Sequence, residues 1–291
     1  MRQYKSWNEV PDNLVSKTKL KTMKLVPNEI RATVYQRKNN VYINLYDVSE
    51  AKKRKEPTER QLKAIEKARE ALIAKKTCPK CKGLLPYILD GGLCEICIEQ
   101  EWMKKQSERA SKMCKDWMVN KEKYLILDTE TTGLGNDDEI IELGIINLNG
   151  QTIFHSTFKP SKPIEGAASE VHGLTDEMLQ DCPLWPIKWQ EIQKVISNKT
   201  LLIFNSNFDI RMIERTNCKY NIESILPVSI CVMETYAKYA ESYYYNGKLQ
   251  WISLQRAIDY EGINIVQQHT AVDDCILTLK LINVMANNIS A

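Results

Sequence analysis

The sequence lacks an apolar stretch near 20 residues, which excludes a helix that crosses a membrane. It shows no signal peptide, and five of its nine cysteines are scattered outside any motif, as in a protein of a reducing compartment. It also lacks internal repeats and low-complexity segments. With 43% hydrophobic residues in 291 positions, the chain is predicted to be a soluble, cytoplasmic protein of two or three folded units.

Charge is unevenly distributed along the chain. Residues 1–127 hold 28 Lys and Arg against 16 Asp and Glu, whereas the remainder holds 12 against 21, so net charges of +12 and −9 underlie the overall +3. A basic region is typical of a nucleic-acid handle, whose affinity comes from phosphate contacts and weakens with salt. Lys-rich helices can equally be solvated faces, and the runs Lys52 to Lys55 and Lys75 to Lys76 are open to both interpretations.

Four cysteines form two C-x-x-C pairs in the basic part of the chain. Twelve residues separate Cys81 of the first pair from Cys94 of the second. This spacing is typical of a structural zinc site, in which metal binding supplies folding free energy to a small module. A disulfide pair or a redox motif is disfavoured in a reducing compartment. We therefore predict one structural Zn²⁺, with the ligands Cys78, Cys81, Cys94 and Cys97.

The segment 57–120 is predicted to be a helix, zinc knuckles and a second helix. Thr58 and Gln61 have the spacing of a capping box, which indicates the start of the first helix. The second helix is expected from about Ile98 to Met118, where apolar residues recur at helical spacing.

The remaining N-terminal segment, residues 1–56, is predicted to be a basic region. Within it, two β-rich runs over residues 31–47 flank a polar turn and predict a hairpin. Together with segment 57–120 it indicates a smaller α+β region that carries the zinc site.

Two carboxylates follow a short apolar run in the second half of the chain. Lys123 to Leu127 is predicted to be a buried strand, and its period of two places Asp128 and Glu130 on the same face. Carboxylate oxygens suit Mg²⁺ or Mn²⁺, which would neutralise the pair. For this segment alone, an acidic strand end without a metal is an equal alternative.

Three further candidates lie near predicted helix starts. Asp209 is expected in the first turn of a helix, where a carboxylate can serve simply as a partner of the helix dipole. His269 is expected in the loop that leads into the last helix, and Asp274 within that helix. The adjacent Asp273 competes with Asp274 and is assigned to the surface, and His155 is interpreted as a structural strand histidine.

The order of these motifs, D-x-E, then N-x-N-F-D, then H-x-A-x-x-D, resembles the DEDDh exonucleases. This DnaQ-like family includes the proofreading epsilon subunit of bacterial DNA polymerase III and ribonuclease T. The resemblance covers about residues 121–288 and includes the segment Val171-His172-Gly173-Leu174-Thr175. It implies a ribonuclease H-like fold for residues 121–291, an α/β mixed sheet flanked by helices. It also implies His269 as general base and two Mg²⁺ or Mn²⁺ ions, with the ligands Asp128, Glu130, Asp209 and Asp274.

The resemblance further implies a slot for the 3′ end of a single strand, lined by Thr131, Gly133 and Leu134. Apolar contact and stacking are tolerant of sequence, so little base specificity is expected. The predicted function is a two-metal 3′ to 5′ exonuclease acting on single-stranded DNA ends, with DNA favoured over RNA. The basic, zinc-bearing half would bind nucleic acid. The alternatives are an exoribonuclease, or a vestigial exonuclease that serves as an adaptor tethering a DNA-processing partner.

Overall fold

The computed structural model describes residues 1–89, 91–223 and 225–287. It divides the chain into two compact units, one spanning Met1–Leu93 and the other beginning at Cys94. In the described ranges, no helix combines the length and the apolar character that crossing a bilayer requires.

The first unit contains two small sheets. Its strands are β1 (Arg2–Tyr4), β2 (Leu14–Ser16), β3 (Leu25–Val26), β4 (Ala32–Gln36), β5 (Val41–Asp47) and β6 (Lys52–Lys53). Four of them form a sheet in the order β1-β4-β5-β2, in which β1 runs parallel to β4 and the other pairs are antiparallel. Strands β4 and β5 form the predicted hairpin, which is thereby confirmed. One face of this sheet buries Tyr4, Ala32, Val34 and Leu45 together.

Two helices complete the first unit, α1 (Lys17–Thr22) and α2 (Glu59–Lys76). Thr58 begins α2 with the predicted capping box, because its hydroxyl accepts from the Gln61 amide at 3.3 Å. In return, the Thr58 amide donates to Gln61 Oε1 at 2.9 Å. Two of the otherwise unpaired backbone donors at the helix start are satisfied in this way.

A mixed five-stranded sheet forms the centre of the second unit. Its strands are β7 (Tyr124–Thr131), β8 (Ile140–Asn147), β9 (Thr152–Thr157), β10 (Thr200–Ile203) and β11 (Ser229–Cys231). They lie in the order β11-β10-β7-β8-β9; the first three are parallel and the last three antiparallel to their neighbours. The expected α/β fold, a mixed sheet of the ribonuclease H-like type, is confirmed.

Helices cover both faces of this sheet. They are α3 (Glu95–Val119), α4 (Gly166–His172), α5 (Asp176–Leu179), α6 (Trp185–Ile196), α7 (Ser206–Lys219), α8 (Val232–Tyr239), α9 (Leu254–Tyr260) and α10 (Ala271–Asn287). Because strand side chains alternate, Leu125 and Leu127 of β7 join a core with Trp185 of α6 and Met212 of α7. Ile126 between them joins a second core on the opposite face, with residues of α3, α8 and α10.

Helix α3 belongs to the second unit. Its buried residues Cys114 and Trp117 lie in the core that α8 and α10 share, and Ser107 Oγ donates to the Tyr239 carbonyl at 2.6 Å. The division between the units therefore differs from the boundary between residues 120 and 121 that we expected from sequence. The amphipathic pattern of this helix shows that one side is covered, but it does not show which segment covers it.

Candidate active site

Three elements bring the predicted carboxylates to one edge of the large sheet. Asp128 and Glu130 project from the end of β7, as predicted. Asp209 lies in the first turn of α7, which follows β10, the parallel neighbour of β7. Its Oδ1 accepts from the Thr129 amide at 3.1 Å and from the Thr129 hydroxyl at 2.8 Å. The β7 backbone therefore holds Asp209 beside the strand that carries the first two carboxylates.

The start of α10 supplies the third part of the site. One ligand atom each from Glu130, His269 and Asp274 lie within 4.8 Å of one another. His269 stands in the loop before α10, as expected, and has a φ of 54°, in the left-handed region that is uncommon for a residue other than glycine. Asp273 is exposed and accepts from the Thr270 hydroxyl at 2.7 Å, which agrees with its assignment to the surface.

Burial and mutual repulsion disfavour the ionised forms of these carboxylates. Burial, reinforced by the charge of Asp274, raises the pKa of Glu130 to about 9, and burial raises the pKa of Asp209 to about 7. Burial and the charge of Asp209 likewise raise the pKa of Asp128 well above its ordinary value. A bound cation would remove this penalty, because it favours the charged form of each group.

The donor set fits a divalent cation of the Mg²⁺ or Mn²⁺ type. Carboxylate oxygens of Glu130 and Asp274 lie close together, and the charges of Asp209, Asp274 and Glu130 act on Asp128. Carboxylate oxygens are the hard ligands that such ions prefer. Asp274 Oδ1 is buried without a hydrogen-bond partner among the described residues, so one acceptor in the site is left unsatisfied. A buried acceptor of this kind is costly unless a donor or a cation meets it.

Two glutamines that sequence reasoning missed orient the α10 end of the site. Gln267 Nε2 donates to Asp274 Oδ2 at 2.5 Å, and the Gln267 amide donates to Gln255 Oε1 at 2.7 Å. Gln255 lies in α9 and also donates to the Ile265 carbonyl at 3.3 Å. The loop that carries His269 is therefore tied to α9. No sequence signal marks an amide side chain for such a contact, because the contact depends on the packing of two helices.

A cavity of about 410 Å³ lies beside Glu130, where the substrate slot was predicted. Its lining includes the three predicted residues and several others, namely Thr131, Gly133, Leu134, Glu130, Glu165, Ala168, His172 and Phe208. Leu134 is 75% exposed, so its apolar side chain is available to a ligand. The cavity thus has an apolar wall and a carboxylate end.

His172 supports the wall of this cavity. The Leu174 amide donates to its Nδ1 at 3.0 Å, so the proton resides on Nε2, which lies 3.3 Å from the Thr131 carbonyl. Burial lowers the pKa of His172 and favours this neutral form. His172 therefore holds the strand end in place and is not available as a proton acceptor toward the carboxylates.

Two buried carboxylates anchor the loop that carries Gly133 and Leu134, and sequence reasoning also missed them. Asp138 accepts from the Thr132 hydroxyl at 2.7 Å, the Gly135 amide at 2.6 Å and Lys162 Nζ at 2.6 Å. Glu139 accepts from four donors, Ser161 N and Oγ, Lys219 Nζ and Tyr220 Oη. Both side chains are only 1% exposed. These fully paired acids fix the loop without contributing to the carboxylate cluster.

The two C-x-x-C pairs supply a separate candidate metal centre. The sulfur atoms of Cys78, Cys81, Cys94 and Cys97 all lie within 4.8 Å of one another. A tetrahedral zinc with bonds of about 2.3 Å to sulfur needs sulfur atoms roughly 3.8 Å apart, so this donor set fits Zn²⁺.

Comparison with known proteins identifies one matching family model. The model is described as "Exonuclease" and matches residues 125–282, more than half of the chain. The match contains all five residues of the predicted site and the cavity beside them. It includes nearly all of the segment on which the resemblance to DEDDh exonucleases was drawn.

Two relatives and one solved structure illustrate the similarity. The uncharacterized exonuclease CP81 of Escherichia phage 186 is 33% identical over 184 residues, which cover 60% of this chain and 93% of that protein. The DNA polymerase III subunit epsilon of Buchnera aphidicola subsp. Schizaphis graminum is 34% identical over 108 residues, 34% of this chain and 46% of that subunit. The chain thus spans about half the length of this epsilon relative.

One solved structure with a similar fold is "Exonuclease X in complex with 5′ overhanging duplex DNA". It is 23% identical in sequence, the match covers 57% of this chain and 92% of that chain, and the TM-score is 0.42.

Divalent metal should stabilise the protein more strongly as pH rises. The raised pKa values mean that the metal-free native state binds more protons than the unfolded state between about pH 4 and the Glu130 pKa of about 9, so its stability falls as pH rises through this range. Metal ions must displace those protons, which is easier at higher pH. We expect Mn²⁺ to raise the Tm more at pH 8.5 than at pH 6.

Two substitutions in α7 control this experiment. Asp209→Asn should lose most of the Mn²⁺-dependent rise in Tm, whereas Glu214→Gln, on the exposed side of the same helix, should retain it. An equal rise at both pH values would contradict the interpretation of the carboxylate cluster.

The cysteine pairs should hold about one zinc per chain. Elemental analysis of reduced, purified protein measures the content. Cys78→Ser should lower it strongly, while Cys218→Ser, at an exposed cysteine outside the motif, should leave it unchanged. Purified protein without zinc would show that the site is not a zinc centre.

Proposed function

The chain belongs to the exonuclease family and is a 3′ to 5′ exonuclease, and from this premise we propose that it degrades single-stranded DNA ends with two divalent metal ions. The convergence of four carboxylates and His269 beside one cavity carries the proposal. It supplies metal ligands, a proton acceptor and a binding slot within a single site. The similarity to subunits named DNA polymerase III epsilon supports DNA as the substrate.

Each group has a distinct role in the proposed reaction. Asp128, Glu130, Asp209 and Asp274 would hold the metal ions, which supply positive charge for the phosphate and lower the pKa of an attacking water. The imidazole of His269 accepts a proton from that water. The oxygen of the water bonds to phosphorus as the bond between phosphorus and the 3′ oxygen breaks. The departing 3′ oxygen takes up a proton from solvent, and one nucleoside 5′-monophosphate is released.

The cavity beside the carboxylates would orient the terminal nucleotide. The Thr131 hydroxyl donates to the Gly133 carbonyl at 2.8 Å and so shapes the slot for the sugar and phosphate, and Leu134 and Phe208 offer apolar surface to the base. Neither apolar side chain can distinguish the hydrogen-bonding edges of the bases, so the enzyme should tolerate any sequence. The buried pairings of Asp138 and Glu139 would keep this loop in place before substrate arrives, which lowers the entropic cost of binding.

The basic N-terminal part would hold the nucleic acid near the enzyme. Its net charge of +12 over residues 1–127 supports contacts with phosphates. The proposed zinc site would keep part of this region folded. The remainder of the chain has a net charge of −9, so it offers little positive charge to attract a polyanion.

Hydrolysis is tested on single strands of DNA and RNA of matched sequence that carry a 5′ label. We expect a ladder that shortens from the 3′ end, requires Mg²⁺ or Mn²⁺ and is absent in Asp128→Ala. His269→Ala should lose at least about a hundredfold in kcat with little change in substrate affinity. Faster RNA degradation would favour an exoribonuclease, and no cleavage of either strand would favour an adaptor.

Salt dependence tests the role of the basic part. Changing Lys52, Lys53 and Lys55 to glutamine should weaken DNA binding and flatten the slope of log K against log salt, by about 0.7 for each lost contact with a single strand. Fluorescence anisotropy at several salt concentrations measures the slope. The matched control changes three exposed lysines of the acidic part, Lys159, Lys194 and Lys280. Equal slopes for both variants would contradict the proposal that the basic part binds nucleic acid.

A further inference from the structure

One further buried carboxylate, that of Glu142, accompanies the four proposed metal ligands. Glu142 lies on β8 directly opposite Glu130 of β7 in the strand register, and it is 5% exposed. It has no place in the D-x-E, N-x-N-F-D and H-x-A-x-x-D pattern. We propose that Glu142 is a positioning residue that fixes the start of α10, and thereby His269 and Asp274, against Glu130. This inference rests on the proposed function and names a further determinant of the same site.

One oxygen of Glu142 holds the backbone at the start of α10. Glu142 Oε2 accepts from the Ala271 amide at 3.2 Å. Ala271 is the first residue of α10 and lies between His269 and Asp274 in sequence. Amide groups at a helix start have no partner within the helix, and a carboxylate there is favoured by the helix dipole. The contact therefore ties β8 to the segment that carries two of the site residues.

The other oxygen of Glu142 is held from the opposite side. Glu142 Oε1 lies 2.7 Å from Nε2 of His155 on β9, the strand that follows β8 in the sheet. Both oxygens of Glu142 are thus engaged, in contrast to Asp274 Oδ1, which has no partner among the described residues. This difference assigns Glu142 to orientation of the site and Asp274 to metal binding. His155 therefore helps to orient Glu142, in addition to being part of the strand.

Close packing makes the position of α10 sensitive to this contact. A Cβ atom at Gly144 would lie 2.8 Å from the Ala271 carbonyl carbon and 2.9 Å from the Val272 nitrogen. Cys275 Sγ donates to the Gly144 carbonyl at 3.5 Å. The first turn of α10 therefore rests on the backbone of β8 with no room for a side chain between them. A small shift of this turn would displace His269 and Asp274 together, and misplacement by about 1 Å can cost a hundredfold in rate.

The test compares two substitutions of Glu142. Glu142→Gln keeps an oxygen for the Ala271 amide and an amide group that can donate to His155 Nε2, whereas Glu142→Ala removes both contacts. We expect Glu142→Ala to lower kcat and Mn²⁺ affinity by about 10- to 100-fold, as for other groups that orient metal ligands, with KM nearly unchanged. Glu142→Gln should retain at least about a third of the wild-type kcat.

A third variant keeps the experiment informative if Glu142→Ala does not fold. His155→Ala removes only the outer contact and should lower kcat and Mn²⁺ affinity by a smaller factor. Its control is Ile153→Ala, because Ile153 and His155 are both exposed residues of β9. Thermal unfolding of every variant establishes that the measurements are made on folded protein.

Several outcomes would overturn the proposal. A kcat for Glu142→Ala within about twofold of wild type would remove the positioning role. Equal losses in Glu142→Gln and Glu142→Ala would show that charge, and not orientation, matters. If the wild type hydrolyses no nucleic acid, the proposed function fails, but the Mn²⁺ affinities of the variants still test the positioning of the ligands. A wild type that binds no Mn²⁺ would overturn both.

Discussion

The electrostatic cost of burying several carboxylates side by side is the constraint on which the second unit of this protein depends. Asp128, Glu130, Asp209 and Asp274 come from the three elements β7, α7 and α10, and burial raises the pKa of each of them. Protonation or a bound cation can offset this cost, and only the cation lets the carboxylates remain ionised. The sheet and helices around the cluster hold these side chains where a divalent cation would offset their mutual repulsion.

Strand β7 positions the other parts of the site. It carries Asp128 and Glu130, its Thr129 binds Asp209, and its partner β8 places Glu142 beneath the start of α10. Hydrophobic side chains on both faces of β7 belong to separate cores, which leave the strand little freedom to shift. The cores therefore contribute to function because they keep the mutually repelling carboxylates at fixed positions.

Local patterns in the sequence predicted the parts of the site but not their supports. The order of the motifs, through its resemblance to the DEDDh exonucleases, indicated Asp128, Glu130, Asp209, His269 and Asp274 as parts of one site. Spacing alone placed only Asp128 and Glu130 on a shared face. Glu142 contacts Ala271 across 129 residues, and Gln267 contacts Asp274 through a loop whose path depends on α9. The same reason explains α3: its apolar side was visible, whereas the helices that cover it were not. Contacts that depend on tertiary packing leave no local signature.

Anomalous scattering from a crystal soaked in Mn²⁺ tests the central claim most directly. The account predicts two manganese peaks bound by Asp128, Glu130, Asp209 and Asp274, with Glu142 still paired to Ala271 and His155. It also predicts that Asp274 Oδ1, unpaired among the described residues, becomes a ligand. Absence of peaks among these carboxylates at saturating Mn²⁺, or peaks only elsewhere on the surface, would contradict it.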